Sequence, residues 1–264
     1  MRIIRLLLCL LVLVGVACTD DDEPSVRPQD SPAPPATTPA DETPTPEASE
    51  SPVAGTGCAN EEQILGDARD SDRMLRGDVD GDGEGDRVAI VVDRSAEEER
   101  CRAFIVVMSR FGSFPEPIEQ GGMSIDVGFP TLVSLVNIDG VPGLDVVMNM
   151  VAGASTQFAG VYTAAEGRPE RLTFDQPTEF GNLFPTGGSV GHMEATDCVG
   201  PGAIVISVAT PKGAGYKVTR TAYVVVDGKL TPQEEGVSTE RIPADGFDRF
   251  PEFQASPFGS CPTS

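Results

Sequence analysis

The sequence has no tryptophan and a single histidine, His192, among its 264 residues. Histidine is the commonest general acid–base, so an enzyme built from this chain would have to work from carboxylates. Positive charge is scarce as well: 19 Lys and Arg stand against 41 Asp and Glu, a formal net charge of −22. A nucleic-acid partner bound through phosphate neutralisation is excluded, because the electrostatic attraction that drives such binding would here be a repulsion. The same lack of cations excludes a polybasic membrane anchor. The chain also lacks any GxSxG, HExxH, P-loop or Rossmann glycine set.

What is present begins with a leader. Arg2 and Arg5 precede an unbroken apolar run, Leu6 to Val16. That run matches a secretory core segment and is too short for a permanent membrane helix, which needs about 20 residues. The stretch Val14-Gly15-Val16-Ala17-Cys18 resembles a bacterial lipobox, with Gly15 where the strongest form has Leu. The resemblance implies that residues 1–17 are a lipoprotein signal peptide cut before Cys18, with diacylglycerol placed on its sulfur. Acyl chains such as palmitate would then hold the protein extracytoplasmically on the membrane, each buried methylene contributing about 0.8 kcal/mol. Loss of the leader removes two arginines and no acid, which takes the net charge to −24.

Composition then changes abruptly. Residues 19–57 hold nine Pro, ten Ser or Thr and nine Asp or Glu, against the single Arg27. Such a segment cannot bury enough surface to offset its ordering entropy. Cys18 and this segment (18–57) are expected to form a lipidated, disordered stalk that reaches at most about 120 Å, at ~3.1 Å per residue.

Residues 58–264 carry 16 basic and 32 acidic side chains, a net charge of −16. The length suffices for one domain with a sizeable core. A short helix is expected near Glu61–Arg69. Elsewhere β-rich runs recur between Gly, Pro and Asp clusters: Val88–Asp93, Arg102–Ser109, Thr131–Val136, Asp145–Val151, Phe158–Thr163, Ala203–Ala209 and Tyr216–Val226. The pattern is all-β.

Self-comparison reveals a repeat. Gly77–Asp93 and Val136–Met150 both run polar loop, Asp, apolar strand, and they align at an offset of 59: Asp78 with Asn137, Asp80 with Asp139, Asp86 with Asp145. Another 57 residues on, Met193–Val208 repeats the outline with the acids faded and Gly202 at the last position. Each loop is preceded by one strand and followed by three, the last of them shorter. Three units of about 58 residues with four strands each (roughly 73–120, 131–175 and 189–235) look like propeller blades.

The first loop, Asp78-Val-Asp80-Gly-Asp82-Gly83-Glu84-Gly85-Asp86, has the form DxDxDGxxD before a strand. It resembles the FG-GAP/VCBS-type repeat of integrin-like β-propellers, whose inter-strand loop binds calcium. Calcium takes 6–8 oxygens at about 2.3–2.6 Å, and carboxylates on alternate residues of a tight turn converge on one point. Asp78, Asp80 and Asp82 are expected to supply side-chain oxygens, Glu84 its carbonyl, and Asp86 the closing carboxylate. The second loop keeps Asn137, Asp139 and Asp145, a weaker site. The third has Glu194, Thr196 and Cys198 at the first ligand positions, and no metal is expected there. Three blades are fewer than the 4–8 of an ordinary closed propeller. Either the flanks (Ala59–Arg73 and Phe247–Ser264) complete a further blade, or the blades form an open arc, or the domain is a flattened sandwich.

Cys58, Cys101, Cys198 and Cys261 remain after the leader and Cys18, an even number in an exported chain, so disulfides are expected. Of three possible connectivities, Cys58–Cys101 and Cys198–Cys261 are favoured. The first ties the domain entry to the first blade, and the second clips the C-terminal tail. Arg76-Gly77-Asp78 spells an RGD, but its Asp is already the first loop ligand. His192 is expected to be structural. Phe247, Phe250, Phe253 and Phe258 are expected to pack as a tail on the domain.

The function these features favour is a non-enzymatic, surface-exposed lipoprotein: a calcium-stabilised β-repeat module, tethered to the membrane by lipid on Cys18, that binds protein or cell-wall glycan or acts as a scaffold. An accessory or sensor subunit of an envelope enzyme or transporter is the second reading. A hydrolase with paired carboxylates is the third.

Overall fold

The computed structural model describes residues 56–119, 128–189, 191–243 and 250–263. The leader, Cys18, the stalk up to residue 55, Gly121, Gly122 and Phe247 lie outside the described residues.

Among the described residues one α-helix, α1 (Glu61–Asp70), precedes fourteen strands. No helix among the described residues is long and apolar enough to cross a membrane. Strands β1 (Met74–Gly77), β2 (Asp86–Val92), β3 (Ala103–Ser109) and β4 (Gly112–Pro117) form a four-stranded antiparallel sheet in chain order. This sheet is the first expected unit, standing by itself.

The second and third units share a single sheet. It contains β5 (Thr131–Val136), β6 (Asp145–Ala152), β7 (Thr156–Thr163), β8 (Glu170–Arg171), β9 (Thr173–Phe174), β10 (Phe184–Ser189), β11 (His192–Gly200), β12 (Ala203–Lys212), β13 (Gly215–Val226) and β14 (Lys229–Pro243). The join is made by β10, which pairs with β7 on one side and β11 on the other. Residues 170–174 are divided between two partners: β8 pairs with β7, and β9 pairs in parallel with β14.

The flanks add no strand among the described residues. Residues 61–70 form α1, and Pro251–Phe253 form a 3-10 turn, so neither flank builds a further blade there. The expected third loop is also corrected. Glu194, Thr196 and Cys198 lie inside β11, where pairing with β12 satisfies their backbone. The turn that stands in the loop's place is the hairpin at Pro201-Gly202.

Layering explains the burial. Six successive residues of β3, Ala103–Met108, are buried because both faces are covered. On one face Phe104, Val106 and Met108 join Ala89 and Val91 and pack against Ile64 and Ala68 of α1. Ile64 and Ala68 are four residues apart, hence on one helix face. On the other face Val88, Ile105 and Val107 meet Val146, Met148 and Tyr162 of the larger sheet. Within that sheet Val147, Val161, Phe184, Ile204, Ile206 and Leu230 form a further cluster, closed by Phe258 from the tail. Phe253 is buried against Ala195, Ala209, Val218 and Ile242, with Phe250 beside it. Disulfides join Cys58 to Cys101 and Cys198 to Cys261, closing separations of 43 and 63 residues. By the loss of chain entropy in the unfolded state, each contributes about 4 kcal/mol.

The three inter-strand turns stack in series, backbone against backbone. Leu144 N–H donates to the Asp78 carbonyl at 2.9 Å. Gly81 lies so close to the second loop that a Cβ there would run into the Pro142 carbonyl oxygen. Gly140 meets the third turn in the same way, with a Cβ position 2.8 Å from Gly202 N. Gly81→Ala is therefore expected to cost well over the ~1–2 kcal/mol of a left-handed alanine. Gly83→Ala, at a similar positive φ but with open space around it, should cost only that amount. Urea unfolding of the two variants measures the difference; equal losses would contradict the stacking.

Candidate metal centre

The first two loops are built by the same hydrogen bonds at the same offset of 59. Val79 N–H donates to Asp86 Oδ2 at 2.9 Å, as Ile138 N–H does to Asp145 Oδ2 at 2.6 Å. Gly81 N–H reaches Asp78 Oδ1 at 2.8 Å, as Gly140 N–H reaches Asn137 Oδ1 at 3.0 Å. Asp82 N–H reaches Asp80 Oδ1 at 3.2 Å, as Val141 N–H reaches Asp139 Oδ1 at 2.8 Å. Short acidic and amide side chains fold these turns by accepting from backbone N–H groups close to them in the chain.

In the first loop, Asp78, Asp80 and Asp86 each place one carboxylate oxygen within 4.8 Å of the others. Oxygens bound to one calcium at 2.3–2.6 Å lie at most about 5 Å apart, so this spacing fits a single ion. Asp86 is buried and Asp80 Oδ2 is buried with no hydrogen-bond partner. Leaving such an acceptor unsatisfied costs about 1–3 kcal/mol. Burial pushes the Asp80 and Asp86 carboxyls above the ordinary range. The Asp82 N–H and the Ser109 hydroxyl oppose this at Asp80 and the Val79 N–H at Asp86, while neighbouring carboxylates add to it.

The Asp82 carboxylate is engaged outside this cluster. The Asp82 side chain is only 5% exposed and its Oδ2 faces Arg110 Nε at 2.6 Å. Its Oδ1 accepts from Glu84 N–H at 2.6 Å. Glu84 itself is exposed. Arg110 stands in the turn between β3 and β4 and also lies over the Phe111 ring, 4.8 Å from its centroid. The donor set that converges is thus all-oxygen, three carboxylates strong, with an arginine beside it. The Asp of the RGD is engaged within the loop: Asp78 accepts from Gly81, Asp82 and Gly83 N–H groups.

The second loop solves the same electrostatic problem differently. Asn137 Nδ2 donates to the Gly143 carbonyl at 2.8 Å and also to the Val141 carbonyl. An amide NH₂ therefore gathers the inward-facing carbonyls that a cation would otherwise gather. Asp139 and Asp145 remain without a third carboxylate. Asp145 is buried, accepts from Ile138 and Asp139 N–H groups, and is pushed up to about 7, first by burial and then by the Asp139 charge.

A second polar cluster escaped sequence reasoning. Thr156, Gly187 and Glu194 lie side by side on β7, β10 and β11. Gly187 carries no side chain, so Thr156 Oγ1 can donate across it to Glu194 Oε2 at 3.0 Å. His192 Nε2 lies 3.1 Å from Thr156 Oγ1 and 3.7 Å from Glu194 Oε1. Burial raises the Glu194 pKa, opposed by the Thr156 hydroxyl and the nearby imidazole. Only the strand register brings these three together. A glycine between two polar positions of neighbouring strands was the available signal.

Comparison of the chain with protein-family models, with curated proteins and with solved structures finds no match in any of the three.

The Asp145 environment has a pH consequence. Between its unfolded value near 3.8 and its folded value of about 7, the native chain holds a proton that the unfolded chain has released. The stability contributed by this group therefore falls as pH rises through that window. Asp145→Asn should remove this part of the pH dependence. The variant is expected to gain on the parent in melting temperature between pH 5 and pH 8. A constant difference across that range would contradict the assignment.

Proposed function

We propose that the chain is an exported lipoprotein whose folded part is a calcium-stabilised β-repeat module of FG-GAP/VCBS kind. Lipid on Cys18 would hold it on the outer face of the membrane, and the stalk would carry the module outward to bind protein or cell-wall glycan. The observation that carries this reading is the convergence of Asp78, Asp80 and Asp86 within 4.8 Å, with Asp80 Oδ2 buried and unpartnered. Hard oxygen donors at this spacing suit calcium. Magnesium demands near-octahedral geometry at about 2.0–2.1 Å and gives up its water reluctantly. The four hydrogen-bonded strands that follow one another around this loop, and the loop geometry repeated 59 residues later, support the repeat assignment.

In this reading one cation serves the whole stack. It neutralises the loop that Leu144 and Pro142 of the second loop lean on. The second loop, closed by the Asn137 amide, works without metal. The ion is structural, and the protein's business is recognition.

Thermal unfolding of the protein with calcium, with magnesium and with EDTA tests the proposal. Calcium at about 100 times its dissociation constant stabilises by about 2.7 kcal/mol, a shift of several degrees. Magnesium should give less, and Asp80→Asn should abolish the response. Identical curves in calcium and EDTA would overturn it.

A further inference from the structure

We infer that the cleft between the two sheets, at the end remote from the carboxylate loops, binds a small amphiphilic carboxylate. Strand β2 starts at Asp86 beside the metal loop and ends at Val92. At about 3.3 Å per residue its two ends are roughly 20 Å apart. Beyond Val92 comes Arg94, and β1 runs antiparallel to β2, which brings Arg73 to the same end. A cavity of about 560 Å³ opens there. Leu75, Ile90 and Val92 line it from the first sheet, and Leu132 lines it from β5. Its volume falls within the range of about 300–1,000 Å³ typical of small-molecule sites.

Arg73 and Arg94 both line this cavity, and Asp72 is its single acid. Neither arginine has a carboxylate within 4 Å among the described residues. Most of the described arginines share that lack; what distinguishes these two is that both line one cleft, whose wall mixes polar groups with Leu75, Ile90, Val92 and Leu132. Guanidinium presents a planar fork that matches a carboxylate in bidentate geometry. The aliphatic part of the wall would take the ligand's hydrocarbon or aromatic body, while Arg73 and Arg94 hold its head. The chain as a whole is acidic and repels anions, so the cleft is where an anion would be retained. This inference is independent of the calcium reading.

The test is a fluorescence titration of the purified full chain with 11-(dansylamino)undecanoic acid, kept below its self-assembly concentration, and with its methyl ester. One saturable site is expected for the acid, with the ester bound at least about tenfold more weakly, as expected if a charge-assisted pair is lost. Arg73→Gln with Arg94→Gln should lose a similar factor at an unchanged melting temperature, since neither side chain has an ionic partner among the described residues. Arg241→Gln, on exposed β14, should bind as the parent does. The proposal is overturned if no saturable binding occurs, if acid and ester bind alike, or if the double variant binds as the parent. It is also overturned if Arg241→Gln weakens binding as much as the double variant does.

Discussion

The hydrogen bond from Leu144 N–H to the Asp78 carbonyl, with Gly81 pressed against Pro142, ties the first loop to the second through backbone alone. Gly140 against Gly202 continues the tie to the third turn. Backbone packed this closely leaves no room for a side chain to adjust. The loops must hold their own shapes, and acidic side chains accepting N–H bonds hold them. The strands that leave these turns, β2, β6 and β12, carry the residues of the main core clusters. The position of the cores therefore depends on the stack.

That solution carries an electrostatic cost. Asp86 and Asp145 are buried as the last residues of their loops, and each sits near other carboxylates. The two loops meet the cost in different chemistry. In the second, an amide donates into the turn and one carboxyl keeps a raised pKa. In the first, three carboxylates converge, and Arg110 holds only the fourth, Asp82. Asp78 against Asn137 at the first ligand position is one source of that divergence, and Asp82 against Val141 is another. The third turn is a plain hairpin and has no such cost to meet.

Much of this was legible in the sequence. The offset of 59 aligned residues that make matching hydrogen bonds, and β5 spans the expected Thr131–Val136. Apolar runs bounded by Gly, Pro and Asp have few other ways to be buried. The favoured disulfide pairing follows from the same ordering of units. The fusion of the second and third units was not legible. It depends on β10, Phe184–Ser189, whose Pro and paired Gly carry no strand signal. The length of β14 was hidden too, because its exposed polar residues lack alternation and are set only by pairing with β13. Arg110 was invisible as a partner for Asp82, since a turn 28 residues away had to be placed first. The Arg73–Arg94 cleft exists only once two sheets face each other.

If a cation organises the first loop while the Asn137 amide takes that role in the second, the number of calcium sites should follow the residue at position 137. Calorimetric titration of calcium into the parent and into Asn137→Asp counts them. That variant restores the acid at the position equivalent to Asp78, beside Asp139 and Asp145. One site per chain is expected in the parent and two in the variant. A parent that binds none or two, or a variant that gains none, would contradict this division of roles.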